Sequence, residues 1–196
     1  MKKVALMSLL VLLLAVPAFA GPPNYVVLKG GIYSPGHEDM TAVANGDFGV
    51  GFNGEVAFGH YFTPNIALEL GVGYLQSKSA TYLDNGVSTS IDISSIPVTL
   101  SIKGVIPFPQ GEVYALVGGG AYISSIDWKQ GTTESKDGTA FGFQAGIGGS
   151  YNVTQEVYLG LEGKYFWAQP EFKWASGTDK VHIDGFQGTI NLGFRF

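Results

Sequence analysis

From Ile66 to Tyr74 every even position is apolar (Ile66, Leu68, Leu70, Val72, Tyr74) and every odd one is small or charged (Ala67, Glu69, Gly71, Gly73). Side chains alternate faces along a β-strand, so this segment has one greasy face and one small or acidic face. A helix would scatter both sets around its circumference. The same period of two recurs. Phe52, Val56 and Phe58 alternate with Asn53, Glu55 and Ala57, and Ile96, Val98, Leu100 and Ile102 with Pro97, Thr99, Ser101 and Lys103. It returns over residues 141–151, 157–167 and 189–196. Two more segments, residues 25–33 and 112–124, are strand-like with a less clear phase; in the second, Val113, Tyr114, Ala115, Leu116 and Val117 are apolar in succession and leave its faces unassigned. Ile91 and Ile93 fall out of phase with Ile96, which predicts a β-bulge near Ser94-Ser95.

The pattern therefore predicts eight strands of about 9–13 residues, the length that a tilted strand needs to cross a bilayer. No stretch of 18 apolar residues follows the N-terminal segment, so the chain has no candidate transmembrane helix. That N-terminal segment reads as a cleaved secretory signal peptide over residues 1–20. Lys2-Lys3 supplies the positive start, Val4 to Val16 the apolar core, and Ala18-Phe19-Ala20 the small-x-small cleavage site. The domain organisation expected is thus a signal peptide at 1–20 and one domain at 21–196. The sequence has no Cys, so an exported fold has to be held by something other than disulfides. Glycine is abundant, at 29 residues, but without the G-X-Y period of collagen.

The connections alternate in length. Residues 63–64, 107–111 and 153–155 form short turns, whereas 34–47, 77–86, 127–138 and 169–182 read as long polar loops. Long loops on one side and short turns on the other are the habit of barrels whose long loops face the cell exterior. An even number of strands leaves both chain ends on the periplasmic side. Aromatic residues gather at both strand ends: Phe62, Tyr114, Tyr151, Phe194 and Phe196 on the short-turn side, and Phe52, Tyr74, Phe141, Phe143, Trp167 and Phe186 on the long-loop side. Two such girdles are expected where a barrel meets the two membrane interfaces.

In hydrocarbon no water can satisfy a free strand edge, so the sheet has to close. Closure with the apolar face outward leaves Lys29, Glu55, Glu69, Lys103, Glu162, Lys164 and Arg195 inside. Buried charges persist when paired, and three acids against four bases nearly balance, so an interior polar network is expected. It is either a plug that fixes strand register or a gate across a narrow pore. The plug is favoured because an eight-stranded barrel is just wide enough to be filled by side chains. A water-soluble ligand barrel would show the same alternation with its apolar face inward, but the aromatic girdles would then have no purpose.

These features together resemble the outer membrane protein β-barrel domain family, the OmpA-, OmpX- and OmpW-like eight-stranded barrels. The resemblance covers roughly residues 25 to 196. It rests on the signal peptide, the eight alternating segments, the glycine-rich runs at 117–122 and 145–151, and the final strand Gly188 to Phe196. It implies an all-β, antiparallel, up-and-down transmembrane barrel in a Gram-negative outer membrane. It also implies partners: outer-membrane lipid and lipopolysaccharide, periplasmic chaperones and the assembly machinery, with Phe194 and Phe196 as the assembly signal. A monomer is expected.

Catalytic chemistry is not expected. Lipid A-modifying barrels of this architecture use a His with a Ser and a carboxylate near the outer rim, and none of His37, His60 and His182 stands in their His-x-Ser pairing. A triad of His182, Asp184 and a loop Ser is the nearest alternative. His37-Glu38-Asp39 lacks a second ligand cluster for a metal, and the glycines at 146, 148 and 149 lie within a strand rather than opening a helix as a nucleotide loop does. No cofactor is expected. A net charge of −5 without a basic run argues against nucleic acid. Two roles remain open: an envelope-integrity or surface-interaction barrel, and a narrow channel for small or hydrophobic solutes.

Overall fold

The computed structural model describes residues 24–36, 49–78, 80–84, 87–130, 132–169, 171–174, 177–180 and 184–196. The signal-peptide segment 1–20 lies outside them, as do His37, Glu38, Asp39 and His182. The described chain is all strand and turn. Strands β1 (Asn24–Pro35), β2 (Gly49–Thr63) and β3 (Ile66–Lys78) are followed by the short β4 (Ala80–Asp84). Three long strands come next: β5 (Val87–Phe108), β6 (Gly111–Gln130) and β7 (Thr132–Asn152). Then come β8 (Val157–Ala168), a separate hairpin of β9 (Glu171–Trp174) and β10 (Gly177–Lys180), and the final β11 (Gly185–Arg195).

Eight of these strands close a barrel by antiparallel neighbour pairing. The order runs β1, β2, β3, β5, β6, β7, β8, β11 and back to β1. The closing seam is long, from Tyr25↔Arg195 to Pro35↔Gly185. Its last rung is a reciprocal pair of backbone bonds, each 2.9 Å, between Asn24 and Phe196. Each transmembrane strand thus has a partner on either side, as a chain in hydrocarbon requires.

The alternation sorts the side chains as expected. Leu28, Leu70, Leu100, Ile147, Leu161 and Ile190 are exposed on the outside. The inward positions of β1 spell out the lumen from the short-turn end to the long-loop end: Tyr25, Val27, Lys29, Gly31, Tyr33. The ambiguous run in β6 resolves with Tyr114 and Leu116 inward and Val113 and Val117 outward. Tyr114 is therefore not a girdle residue: it is 8% exposed and belongs to the lumen. The other girdle residues named above are all exposed, and Phe108 joins them on the short-turn side.

Two expectations fail outside the membrane. The ladder between β5 and β6 runs from Ser90↔Lys129 to Phe108↔Gly111 without a shift, so there is no bulge at Ser94-Ser95. The slip lies on the neighbouring strand instead, between Gln76↔Ser94 and Ala80↔Ile91. In addition, the described residues of segments 77–86 and 127–138 are strand, with β6 and β7 paired out to Gln130↔Thr132. About 9–11 residues suffice to cross a bilayer, and β5 has 22. Beyond the hydrocarbon a hairpin still satisfies its own backbone but no longer needs an apolar outer face. Its sequence then loses the alternation that marks a strand and reads as polar loop.

Candidate functional site: the charged lumen

Among the described residues, a compact ionic cluster sits in the barrel interior. Lys29 on β1 is its centre. Its ammonium has three donors and meets three carboxylates: Glu55 at 2.9 Å, Glu69 at 2.7 Å and Glu162 at 2.9 Å. Lys103 on β5 bonds Glu69 at 2.5 Å and stands 3.8 Å from Glu162. Lys164 on β8 pairs with Glu55 and lies 3.9 Å from Glu162. Three lysines therefore neutralise three glutamates, contributed by β1, β2, β3, β5 and β8. The Lys29 side chain is 1% exposed and that of Glu162 is fully buried.

Such a cluster is tolerable only when the remaining lone pairs are satisfied as well. Tyrosines do this. Tyr25 donates to Glu69 at 2.8 Å and Tyr114 donates to Glu162 at 2.9 Å. The Lys103 ammonium also sits 4.3 Å above the Tyr114 ring, a cation–π contact. Neutral pairs continue the network up the wall: Gln144 to Ser101 at 2.8 Å and Asn53 to Gln187 at 3.1 Å.

Aromatic layers close both sides of the cluster. Toward the short turns, Tyr25 packs on Tyr61 and Tyr158 with centroids 5.3 and 6.3 Å apart. Toward the long-loop end, Phe166 stacks on Tyr122 at 5.2 Å and meets Tyr33 at 5.7 Å. Inward glycines make room for these rings. A Cβ on Gly59 would occupy the Tyr25 ring, and one on Gly193 the Tyr158 ring. In these two places glycine is dictated by close approach rather than by backbone conformation.

Arg195 is not part of the cluster. It reaches Glu112 at 3.2 Å near the short-turn end, bonds Asn152, and lies 4.5 Å over the Tyr158 ring. Tyr61 donates to the same Glu112 at 2.7 Å. The seven charges placed inside by sequence thus divide into six that meet and one, Arg195, that pairs with a residue outside that set. Glu112 opens the strand whose phase the apolar run obscures; counting inward from Tyr114 by twos finds it. Phe194 and Phe196 are exposed at the end of the closing strand.

Among the described residues, no three His, Asp or Glu side chains converge as metal ligands. His60 bonds Asn24 at 2.7 Å and packs edge-on against Phe62. Asp184, the carboxylate named for a triad with His182, accepts from Tyr165 at 2.5 Å.

A family model, the outer membrane protein beta-barrel domain, matches residues 6–196. The chain belongs to this family. As a member of the outer membrane protein β-barrel domain family, it is an integral outer-membrane protein. Among curated proteins none matches it by sequence. Solved structures agree on the fold. A major outer membrane protein from Thermus thermophilus superposes with a TM-score of 0.62 at 13% identity, over 90% of this chain and 100% of that one. OprG from Pseudomonas aeruginosa gives 0.59 at 13% identity, over 89% and 96%. Ail, the attachment invasion locus protein of Yersinia pestis, gives 0.53 at 14% identity, over 90% and 100%. Identities this low speak for the barrel architecture alone.

Proposed function

We propose that this family member is a non-conducting barrel that contributes to envelope integrity and presents its extracellular strands to partners. The observation that carries the reading is the lumen. A neutralised Lys–Glu cluster sits between two aromatic layers, and its central side chains are almost wholly buried. Opening a path for a solute would require parting several buried ion pairs together, each costly to break singly. The long β5, β6 and β7 rise well past the length a crossing needs, which suits display. The attachment role in the name of the Yersinia pestis relative is in keeping with a surface role on the same fold. Planar-bilayer recording of the refolded protein tests the reading. A flat trace is the expected result. Discrete openings above background would replace it with the narrow-channel reading, and loss of a lipid A modification on deleting the gene would replace it with an enzymatic one.

A further inference from the structure

The lipid-facing wall is not evenly studded with large side chains. One cross-strand row runs Gly104↔Ala115↔Ile147↔Gly163↔Gly188 through β5, β6, β7, β8 and β11. Only Ile147 projects from it. The row toward the periplasm runs Ile106, Val113, Gly149, Leu161 and Ile190, and the row on the other side Ile102, Val117, Ala145, Tyr165 and Phe186, so on β7 both flanks are low beside Ile147. On β8 and β11 the low floor of Gly163 and Gly188 lies beside Leu161, Ile190 and Phe186 and forms a groove, and the structure has an apolar depression of about 1080 Å³ there. A second depression, of about 560 Å³, shares Val113, Gly149, Leu161 and Ile190 with it. The second one ends at Phe108 and Tyr151, on the short-turn rim. They meet at Gly149, the gap in the row toward the periplasm, and together run from the periplasmic interface toward the middle of the membrane.

We propose that this groove is a binding site for one acyl chain of a phospholipid from the periplasmic leaflet. The groove lies within the band that hydrocarbon surrounds, so its occupant has to be apolar. An empty groove would forfeit dispersion contacts along its whole length. Its mouth at Phe108 and Tyr151 is at the level of the periplasmic headgroups, which selects a phospholipid over a lipid of the outer leaflet. Strand tilt sets the cross-strand rows oblique to the membrane normal, so a chain in the groove rises while following the barrel wall. It would touch protein on three sides, whereas a chain on the even part of the wall touches it on one. The inference is independent of whether the lumen conducts.

The test fills the groove. A Cβ added at Gly30 or Gly104 meets nothing within 4 Å, so leucine there extends into the groove region without clashing with the barrel. The full barrel is reconstituted in vesicles of phosphatidylethanolamine, phosphatidylglycerol and lipid A, then released for native mass spectrometry. Wild type is expected to retain one phospholipid that the Gly30→Leu/Gly104→Leu variant loses, with heat-modifiable gel mobility showing both folded. The single Gly104→Leu variant serves if the double one does not fold. Equal retention in wild type and variant would overturn the site. Retention of lipid A in place of phospholipid would overturn the assigned source. A chemically cross-linked dimer of wild type that the variant abolishes would assign the groove to a second copy and overturn the proposal.

Discussion

Among the described residues, opposite charges meet inside the barrel in two places, and the two are built differently. In mid-lumen, Lys29 is surrounded by three glutamates and shielded above and below by rings. At the periplasmic rim, Arg195 meets Glu112 with 18% and 13% of those side chains still exposed. The first arrangement has no water to fall back on, whereas the second does. A buried ion pair contributes little net stability relative to an apolar filling, yet leaves a large deficit when one partner is removed. The central cluster should therefore be unforgiving of single changes and the rim pair lenient.

The largest effect is expected from Lys29→Met. It leaves three buried carboxylates sharing two ammonium groups, and the barrel should lose about 3–5 kcal/mol. Urea titration followed by heat-modifiable gel mobility reads this directly. Adding Glu162→Gln to the same protein restores the charge balance and should recover part of the loss. A single Lys29→Met barrel as stable as wild type would remove the distinction between the two regions.

A contrast between glycines comes next. Gly193→Val places a side chain where the Tyr158 ring lies, and overpacking of this kind costs about 1–3 kcal/mol. Gly30→Val faces the lipid, where an added Cβ meets nothing within 4 Å, and should leave the urea midpoint close to wild type. Two glycines with the same sequence appearance thus carry opposite expectations, and equal responses would mean that the lumen is looser than its ring contacts imply.

Within the bilayer, the fold is largely legible in the sequence. Hydrocarbon outside and a narrow lumen inside impose one rule on every strand, and that rule is written as a period of two. Six of the seven charges assigned to the lumen meet there for this reason. Legibility ends where the rule stops. Past the hydrocarbon, β5, β6 and β7 continue as strands with polar residues that resemble a loop, and the misplaced bulge at Ser94-Ser95 marks that border. Tyr114 falls into the wrong set because a lumen tyrosine and a girdle tyrosine look alike in sequence. What separates them is the carboxylate across the barrel, Glu162, 48 residues away. Glu112 escapes notice for a related reason: a run of apolar neighbours hides the phase of its strand.

The smallest effect is expected at the rim. Glu112→Gln leaves Arg195 with Asn152 and the Tyr158 ring, and water can reach the guanidinium. The loss should be about 1 kcal/mol or less, in the range of partly exposed pairs. Salt separates this pair from the central cluster more sharply than magnitude does. Raising ionic strength from about 0.01 M to about 1 M shortens the screening length from about 30 Å to about 3 Å, and ions reach only what water reaches. The rim pair should weaken over that range, so the difference between wild type and Glu112→Gln should shrink toward zero. The deficit of Lys29→Met should stay the same, because no counter-ion can enter between the two aromatic layers. A Lys29→Met deficit that shrank in step with the rim's would mean that ions penetrate the lumen, and the plug would have to be regarded as permeable.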